Sequence, residues 1–313
     1  MAILKLKPSC KDYLWGGNKL RTEFGIDSDK ETLAESWELS CHPDGPSYII
    51  NGEAAGQTLA EYIDANGKEI LGKDCESFEE FPVLIKFIDA KKDLSIQVHP
   101  DDRYALKNEG QYGKTEMWYV MEAEEGASLF YGFSREVSKE EFEERIRNHT
   151  LTEVLNKVEI HKGDVLFIDP GTIHAIGAGC LIAEIQQNSN VTYRVYDYGR
   201  KGVDGKEREL HVDKALQVTK REPAVKNKDV GLHVETCQYF TVDKVILDGL
   251  RRKKLTGEAD GSSFVSVLML NGQGKISACG ETLDVKKGDS IFITAGSGEY
   301  QMEGEMEALL TTV

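Results

Sequence analysis

The segments GDVLFIDPGTIHAIGAG at residues 163–179 and GDSIFITAGSGEYQMEG at residues 288–304 decide the fold class. Aligned without gaps, they share Gly-Asp, Phe-Ile and two further glycines. Each has the pattern of a turn, a strand, a tight turn and a second strand. Two copies of one β-barrel unit account for this repeat most simply. His174 in the first copy corresponds to Glu299 in the second, so we expect the first barrel to carry a site and the second to be structural.

Short apolar runs dominate the rest of the chain, separated by glycine, aspartate and asparagine. Many short strands with turn signals between them indicate a β-sandwich or a barrel. Three segments have helical spacing instead: 58–71, 138–148 and 211–220. The predicted strands are PVLIKFI (82–88), LSIQVH (94–99), EMWYVM (116–121), DVLFID (164–169), CLIAEIQ (180–186), VTYRVYDY (191–198), SFVSVLML (263–270) and DSIFIT (289–294).

The bulk composition argues against several classes of protein. The chain has 313 residues and a net charge of −16, and no apolar run approaches the length of a bilayer span. The acidic charge makes nucleic acid and anionic membranes poor partners, so an anionic ligand needs a local basic pocket. Six cysteines are scattered without a CxxC pair, which favours a reduced, cytoplasmic location. The N-terminal MAILKLKPSC has no long apolar h-region, so we expect no secretion signal.

The segment LSIQVHP at residues 94–100 alternates strictly between apolar and polar residues. Such alternation is typical of a strand with one packed face, and it places Gln97 and His99 together on the other face. Glu116, which begins the strand EMWYVM, and His174, which follows the turn DPGT, complete a candidate set. Two neutral imidazoles, a carboxylate and an amide oxygen suit a divalent ion such as zinc, with an open position for water or substrate.

Spacing alone leaves an alternative for this set. A histidine beside a proline, with a glutamate some way off, is often only a hydrogen-bonded structural residue. The internal repeat favours the metal interpretation, because it predicts a barrel whose interior must be filled or functional.

Three charged residues lie inside otherwise apolar strands: Lys86, Glu184 and Arg194. A charge buried alone costs on the order of several kcal/mol, so each needs a partner, a metal or a ligand. Together they are best explained as the lining of one polar cavity. Lys86 is the most unusual, because it shares its face with two apolar residues. Its alternatives are a position at a strand edge or an ion pair with Glu116 or Glu184.

Cationic side chains beside a metal suggest an anionic ligand, and arginine presents a fork of donors that suits phosphate. Lys114 and Arg200 can add positive charge at the mouth of the cavity, although either alone is more often a solvated surface residue. Ser95, on the same face as Gln97, can donate a hydroxyl. The chain has neither a G-x-x-x-x-G-K-[ST] loop nor G-x-G-x-x-G, so nucleotide binding has no support. It also lacks the G-x-S-x-G motif of serine hydrolases.

Six segments resemble type I phosphomannose isomerases (mannose-6-phosphate isomerases) in their short bacterial form. The likeness covers most of the chain and is most specific around LSIQVHPDD. The segments are YLWGG (13–17), ESWELSCHPDGPS (35–47), FPVLIKFIDAKKDLSIQVHPDD (81–102), GKTEMWYVM (113–121), DPGTIHAIGAG (169–179) and EIQQNSNVTYRVYDYGR (184–200).

The resemblance implies a mainly β fold of cupin barrels (double-stranded β-helix or jelly-roll) with added helices. On this basis we predict a catalytic cupin domain with helical insertions at 1–234 and a second, metal-free cupin-like β-barrel at 235–313. Longer members of the family carry an extra helical domain for which this chain is too short.

The resemblance also implies roles for individual residues, including one zinc ion per chain. The zinc ligands of the family correspond to Gln97, His99, Glu116 and His174. Its active-site arginine and pocket-lining polar residues, which we expect to be catalytic, correspond to Arg194, Lys86, Glu184 and Lys114. Its phosphate-binding positions correspond to Ser95 and Arg200.

The implied reaction is the interconversion of D-mannose 6-phosphate and D-fructose 6-phosphate through a cis-enediol. The residues offer three candidates for the group that transfers the proton: Glu184, Lys86 and a water on the metal. An iron cupin dioxygenase and a non-catalytic sugar-phosphate-binding cupin are the alternative functions. The expected partner is a small sugar phosphate. We expect the protein to bind neither nucleic acid nor membrane, and a homo-oligomer is possible.

Overall fold

The computed structural model describes residues 1–202, 205–224 and 231–313. Within these ranges the chain is mainly β, as predicted, and all eight predicted strand segments contain strands. The strands are β1 (Ile3–Lys7), β2 (Ser9–Lys11), β3 (Glu35–Leu39), β4 (Tyr48–Ile49), β5 (Val83–Ala90), β6 (Ile96–Val98), β7 (Glu116–Ala123), β8 (Ser128–Phe133), β9 (Leu155–Glu159), β10 (Val165–Ile168), β11 (His174–Ile176), β12 (Cys180–Gln187), β13 (Tyr193–Tyr196), β14 (His233–Thr236), β15 (Thr241–Asp248), β16 (Lys254–Ala259), β17 (Val265–Ala278), β18 (Glu281–Lys286), β19 (Ser290–Ile293) and β20 (Gly298–Thr312).

The helices are short. They are α1 (Lys19–Thr22), α2 (Leu59–Asn66), α3 (Asp102–Asn108), α4 (Lys139–Arg147) and α5 (Val212–Val218), with 3-10 turns at Lys68–Leu71, Lys73–Cys75 and Leu151–Glu153. None of the described helices has the length and apolar character needed to cross a bilayer.

The three predicted helical segments are confirmed, with one correction. Ser138 caps α4, because its hydroxyl accepts a hydrogen bond from the backbone N–H of Glu141 at 3.1 Å, and such a cap stabilises a helix by about 1 kcal/mol. The segment 58–71 is not one helix. It breaks at Gly67, whose φ of +85° cannot continue an α-helix, and resumes as a 3-10 turn.

The chain forms two compact units, and each is discontinuous along the sequence. Unit 1 comprises Met1–Lys11, Asn18–Phe87 and Val230–Val313, and unit 2 comprises Asp12–Gly17 and Ile88–Asp229. The predicted division at 234/235 stays a prediction.

Unit 1 contains a nine-stranded antiparallel sheet. Its main order is β14-β15-β20-β17-β19-β1-β4, with β16 paired to β20 and β18 paired to β17. Alternate residues of the long strands face the core, among them Val267, Ile291 and Met302, each fully buried. The same alternation leaves Glu299, the counterpart of His174, exposed on β20. Burial therefore differs at this aligned position of the repeat.

The repeated segments also share backbone conformation. Gly163 and Gly288 have φ values of +93° and +91°, and Gly171 and Gly296 have φ values of +86° and +74°. Only glycine adopts this region without strain, so these two pairs of glycines mark equivalent turns. The third shared pair differs, because Gly179 lies in a turn before β12 and Gly304 lies within β20. The agreement at the first two pairs supports the interpretation of the repeat as one structural motif used twice.

Unit 2 brings the predicted site strands together. Its five-stranded sheet has the order β13-β6-β11-β8-β9, and β7 pairs with β10 on one side and β12 on the other. In the register of the five-stranded sheet, Gln97 lies opposite both His174 and Arg194. Directly opposed residues on neighbouring strands share a face, so these three side chains form one row.

Unit 1 contains a buried carboxyl group that makes its stability depend on pH. Both carboxyl oxygens of Glu38 on β3 are buried, and neither makes a hydrogen bond of ordinary geometry with a described residue, although the Ser36 side chain is close enough to lower its pKa slightly. Burial, with a smaller contribution from Asp289, raises the pKa of Glu38 from 4.5 to about 8. Between these values the folded chain keeps a proton that the unfolded chain has lost. The free energy of unfolding must therefore fall as pH rises through this window, by at most about 4 to 5 kcal/mol.

We expect Glu38→Gln, a neutral side chain of the same shape, to remove most of this dependence. The variant should be more stable than the parent at pH 8 and show a flatter profile from pH 5 to 8. Denaturant unfolding of both proteins across this range checks the prediction. Parallel profiles would show that Glu38 does not carry the effect.

Candidate metal centre and active site

Three buried side chains of unit 2 converge on one point. One ligand atom each from His99, Glu116 and His174 lies within 4.8 Å of the others. His174 Nε2 is 3.3 Å from Glu116 Oε1, and His99 Nε2 is 3.6 Å from Glu116 Oε2. Two atoms bound at about 2.1 Å to one tetrahedral ion are roughly 3.4 Å apart. The spacing therefore fits a divalent ion with nitrogen and oxygen ligands.

Both imidazoles are oriented by backbone carbonyl groups. His99 Nδ1 is 2.9 Å from the carbonyl oxygen of Val191, and His174 Nδ1 is 2.8 Å from that of Thr172. A hydrogen bond at Nδ1 leaves the Nε2 lone pair free for a metal. Burial lowers the pKa of His174 to about 4, so this imidazole is neutral at physiological pH, as a metal ligand must be.

The strands explain why these residues meet. Residues 97 and 99 share a face because side chains alternate along a strand, and β6 pairs with β11 beside them. The backbone N–H of Gly171 donates to the carbonyl oxygen of His99 at 2.8 Å, which ties the turn before His174 to the end of β6.

Gln97 lies at the edge of this group. Its amide Nε2 is 3.4 Å from His174 Nε2. The nitrogen and oxygen of a glutamine amide are assigned from their neighbours, so a rotation of the amide would present Oε1 to an ion at the same place. The structure thus brings Gln97 to the site, and its role as the fourth ligand stays a prediction.

Lys114 connects the Glu116 carboxylate to a second buried carboxylate, that of Glu184. The Lys114 ammonium forms an ion pair with Glu116 Oε2 and lies 3.5 Å from both Glu184 Oε1 and His99 Nε2. Both side chains are almost completely buried. Unit 2 therefore combines a candidate metal centre, a buried ammonium and a second buried carboxylate, which is the combination that acid–base chemistry needs.

Lys86 belongs to unit 1. Its ammonium lies 3.8 Å from Glu35 Oε2 and 4.7 Å from the ring centre of Trp37. The indole N–H of Trp37 donates to the same Glu35 oxygen at 2.7 Å. Glu35 is thus a partner of this buried lysine, whereas the sequence analysis considered Glu116 and Glu184.

Arg194 on β13 retains unused hydrogen-bonding capacity. Its Nη1 donates to the carbonyl oxygen of Glu209 at 2.8 Å, whereas its Nε is buried without a partner among the described residues. Burial, and then the neighbouring charge of Arg208, lower the pKa of Arg194, although an arginine remains protonated at physiological pH.

Two further arginines are held by one carboxylate. Arg208 donates from Nε and Nη2 to the two oxygens of Asp197, each at 2.7 Å, and Arg200 donates from Nε to Asp197 Oδ1 at 3.1 Å. Burial alone would raise the pKa of Asp197, but the hydrogen bonds from both arginines lower it below its ordinary value. We call Arg194, Arg200 and Arg208 the arginine cluster. Three cations with one bridging carboxylate leave an excess of positive charge that suits an anion.

Ser95 lies directly before β6 and is buried. Its predicted place on the face of Gln97 and its role toward phosphate stay predictions.

Comparisons with known proteins give the family of this chain. The family model for the type I phosphomannose isomerase catalytic domain matches residues 3–127, and that for the mannose-6-phosphate isomerase cupin domain matches residues 230–313. The mannose-6-phosphate isomerase of Streptococcus mutans is 37% identical over 98% of this chain and 96% of its own length. The chain belongs to the type I mannose-6-phosphate isomerase family.

Solved structures support membership of this isomerase family and the predicted fold. The crystal structure of mannose 6-phosphate isomerase from Bacillus subtilis has a TM-score of 0.90 and 33% identity, and the match covers 100% of both chains. A zinc-bound mannose 6-phosphate isomerase, 18% identical, shares the fold with a TM-score of 0.78 over 99% of both chains. The predicted family and the predicted cupin fold are confirmed.

Some residues of this isomerase site were not found from the sequence. Trp118 is buried beside His174 and Glu184. Strand alternation places it on the same face as Glu116, but the sequence reasoning assigns it no role. Arg208 lies in a charged segment without periodicity, and Asp197 lies near the end of the predicted strand VTYRVYDY, where the pattern assigns it no role. The tyrosine–aspartate–tyrosine run at 196–198 could have drawn attention to Asp197, because an acidic residue between aromatic ones is unusual in a strand.

Proposed function

We propose that this chain interconverts D-mannose 6-phosphate and D-fructose 6-phosphate, with one zinc ion held by Gln97, His99, Glu116 and His174. The observation that carries the proposal is the buried His99–Glu116–His174 group with Lys114 and Glu184 against it. Membership of the isomerase family supports the choice of substrate, since the relatives named above act on mannose 6-phosphate.

The reaction moves a proton between C1 and C2 of the open-chain sugar through a cis-enediol. It therefore needs a group that removes and returns a proton, and a positive environment for the charge that develops on O1 and O2. A bound zinc ion supplies Lewis-acid polarisation of substrate oxygens. The remaining tasks fall to side chains of the protein.

Glu184 is the proton carrier that we favour. It is buried beside the metal-ligating group, and its two oxygens have different donors, Lys114 and Trp118. A carboxylate held in this way has a defined orientation, which proton transfer to carbon requires. Lys86 is retained as the alternative carrier, with its described partner Glu35 in unit 1.

Arg194 is proposed to stabilise the developing negative charge, and the rest of the arginine cluster to bind the phosphate. The row formed by Arg194, Gln97 and His174 spans three neighbouring strands, which lie about 4.8 Å apart. A sugar phosphate aligned along this row would place its reacting carbons at the metal end and its phosphate beyond Arg194. Arg200 and Ser95 are the phosphate contacts expected from the family, and Arg208 is added because it shares Asp197 with Arg200.

The location and assembly of the chain remain predictions. A cytoplasmic location is consistent with six free cysteines among the described residues. A homo-oligomer remains open.

The test is an assay of fructose 6-phosphate formation from mannose 6-phosphate. The protein is measured as purified, after chelation, and after zinc is restored. We expect turnover that chelation abolishes and zinc restores. Metal-replete protein without turnover would contradict the proposal. Bound iron together with oxygen consumption would favour a dioxygenase. Tight binding of mannose 6-phosphate without isomerisation would favour a non-catalytic sugar-phosphate-binding protein.

A further inference from the structure

We propose that Trp118 is a positioning residue for the isomerisation, because its indole N–H fixes the carboxylate of Glu184. This inference rests on the proposed function, in which Glu184 carries the proton. Trp118 itself contacts neither the substrate nor the metal in this proposal. It acts through the carboxylate that it holds.

The hydrogen bond between the two residues is built into the sheet. Trp118 on β7 lies opposite Glu184 on β12 in the antiparallel register, so their side chains share one face. The Trp118 Nε1–H donates to Glu184 Oε2 at 3.0 Å, and both residues are buried. Lys114 takes the other oxygen, Oε1, at 3.5 Å. Because these two donors bind different oxygens, rotation of the carboxylate breaks at least one of the two contacts.

The same indole also packs against a metal ligand. The ring centres of Trp118 and His174 are 5.2 Å apart with an interplanar angle of 80°, an edge-to-face contact. One rigid side chain therefore touches both the proposed proton carrier and a member of the metal group. This arrangement fixes the distance between them more firmly than two separate contacts from flexible side chains could.

Tryptophan suits this position for chemical reasons. Its N–H is a donor only, so it cannot compete with the substrate for a proton on Glu184. Its bulk fills the interior and excludes water. A serine or threonine at 118 would be too short to reach the carboxylate, and a lysine or arginine would add another positive charge next to Lys114.

The first test is Trp118→Phe, which removes the donor and keeps an aromatic ring beside His174. We expect kcat to fall about 10- to 100-fold, because small misplacements of a reacting group have effects of this size. KM should change less than about twofold, and the zinc content should remain one per chain. If the wild-type protein isomerises mannose 6-phosphate and Trp118→Phe has the same kcat, the inference is overturned and the proposed function is not affected.

A double-mutant cycle separates positioning from packing. If Trp118 acts through Glu184, Trp118→Phe should cost almost nothing in kcat when Glu184 is already alanine. A packing effect that is independent of Glu184 would lower kcat by the same factor in both backgrounds, and this additive result would contradict the inference. Wild-type protein without turnover would instead defeat the proposed function.

A spectroscopic measurement tests the contact without any turnover. The chain has three tryptophans, so ¹⁵N-labelled protein can give three indole N–H signals. The signal that disappears in Trp118→Phe should shift in Glu184→Gln, because a neutral amide oxygen replaces a carboxylate as acceptor. This comparison also remains available if Trp118→Phe folds poorly, since Trp15→Phe and Trp37→Phe assign the other two signals and leave that of Trp118. An unshifted Trp118 signal would show that the two groups are not bonded in solution.

Discussion

Protein in which His99 is replaced by alanine should lose its bound metal and its isomerase activity together. His99 is nearly fully buried, and its Nε2 is one of the converging ligand atoms. Loss of a residue that merely orients a ligand costs 10- to 100-fold in metal affinity, so loss of the ligand itself should cost at least about 100-fold. Metal analysis after dialysis, together with the isomerase assay, checks this expectation.

The matched control is His161→Ala. His161 belongs to the same unit but its side chain is 74% exposed, so its removal should leave metal content and activity unchanged. Retention of one equivalent of zinc by His99→Ala would remove His99 from the ligand set. Gln97, Glu116 and His174 would then have to bind the ion without His99.

Replacing Arg194 with alanine should lower kcat by about 10²- to 10³-fold, the effect seen when a donor to developing charge is removed. Arg194 shares the row of Gln97 and His174 but is not one of the converging ligands. Zinc content should therefore stay at one per chain. Steady-state kinetics and metal analysis on the same preparation measure both quantities.

Two further variants make this result specific. Arg194→Lys keeps the charge but not the fork of donors, so it should recover only part of the lost rate. Arg135→Ala removes an arginine whose side chain is 51% exposed in the same unit, and it should leave kcat unchanged. Loss of zinc from Arg194→Ala would mean that Arg194 supports the metal group and does not stabilise charge.

The structure brings His99, Glu116 and His174 together, as the sequence predicted. Both histidines stand in short, regular contexts, which made this prediction possible. The alternation of LSIQVHP set the face of Gln97 and His99, and the repeated glycines located the turn before His174. These are local properties of strands and turns, and the structure bears out the pairing of β6 with β11.

The missed features depend on long-range pairing. Strands β16 and β18 each contain a single buried residue, so they carry little hydrophobic signal, and their pairing with β20 and β17 defines them. The partner of Lys86 could not be chosen from the sequence, because Glu35 is far from it along the chain and only the sheet makes β3 a neighbour of β5. The bridge from Asp197 to Arg208 likewise spans a connecting segment without periodicity.

An anomalous-difference map collected across the zinc absorption edge from a crystal of the purified protein tests the central claim most directly. We predict one strong peak per chain, about 2.0 to 2.2 Å from His99 Nε2, His174 Nε2 and a carboxylate oxygen of Glu116. A metal-replete crystal with its peak at other residues, or with none at this group, would contradict the account.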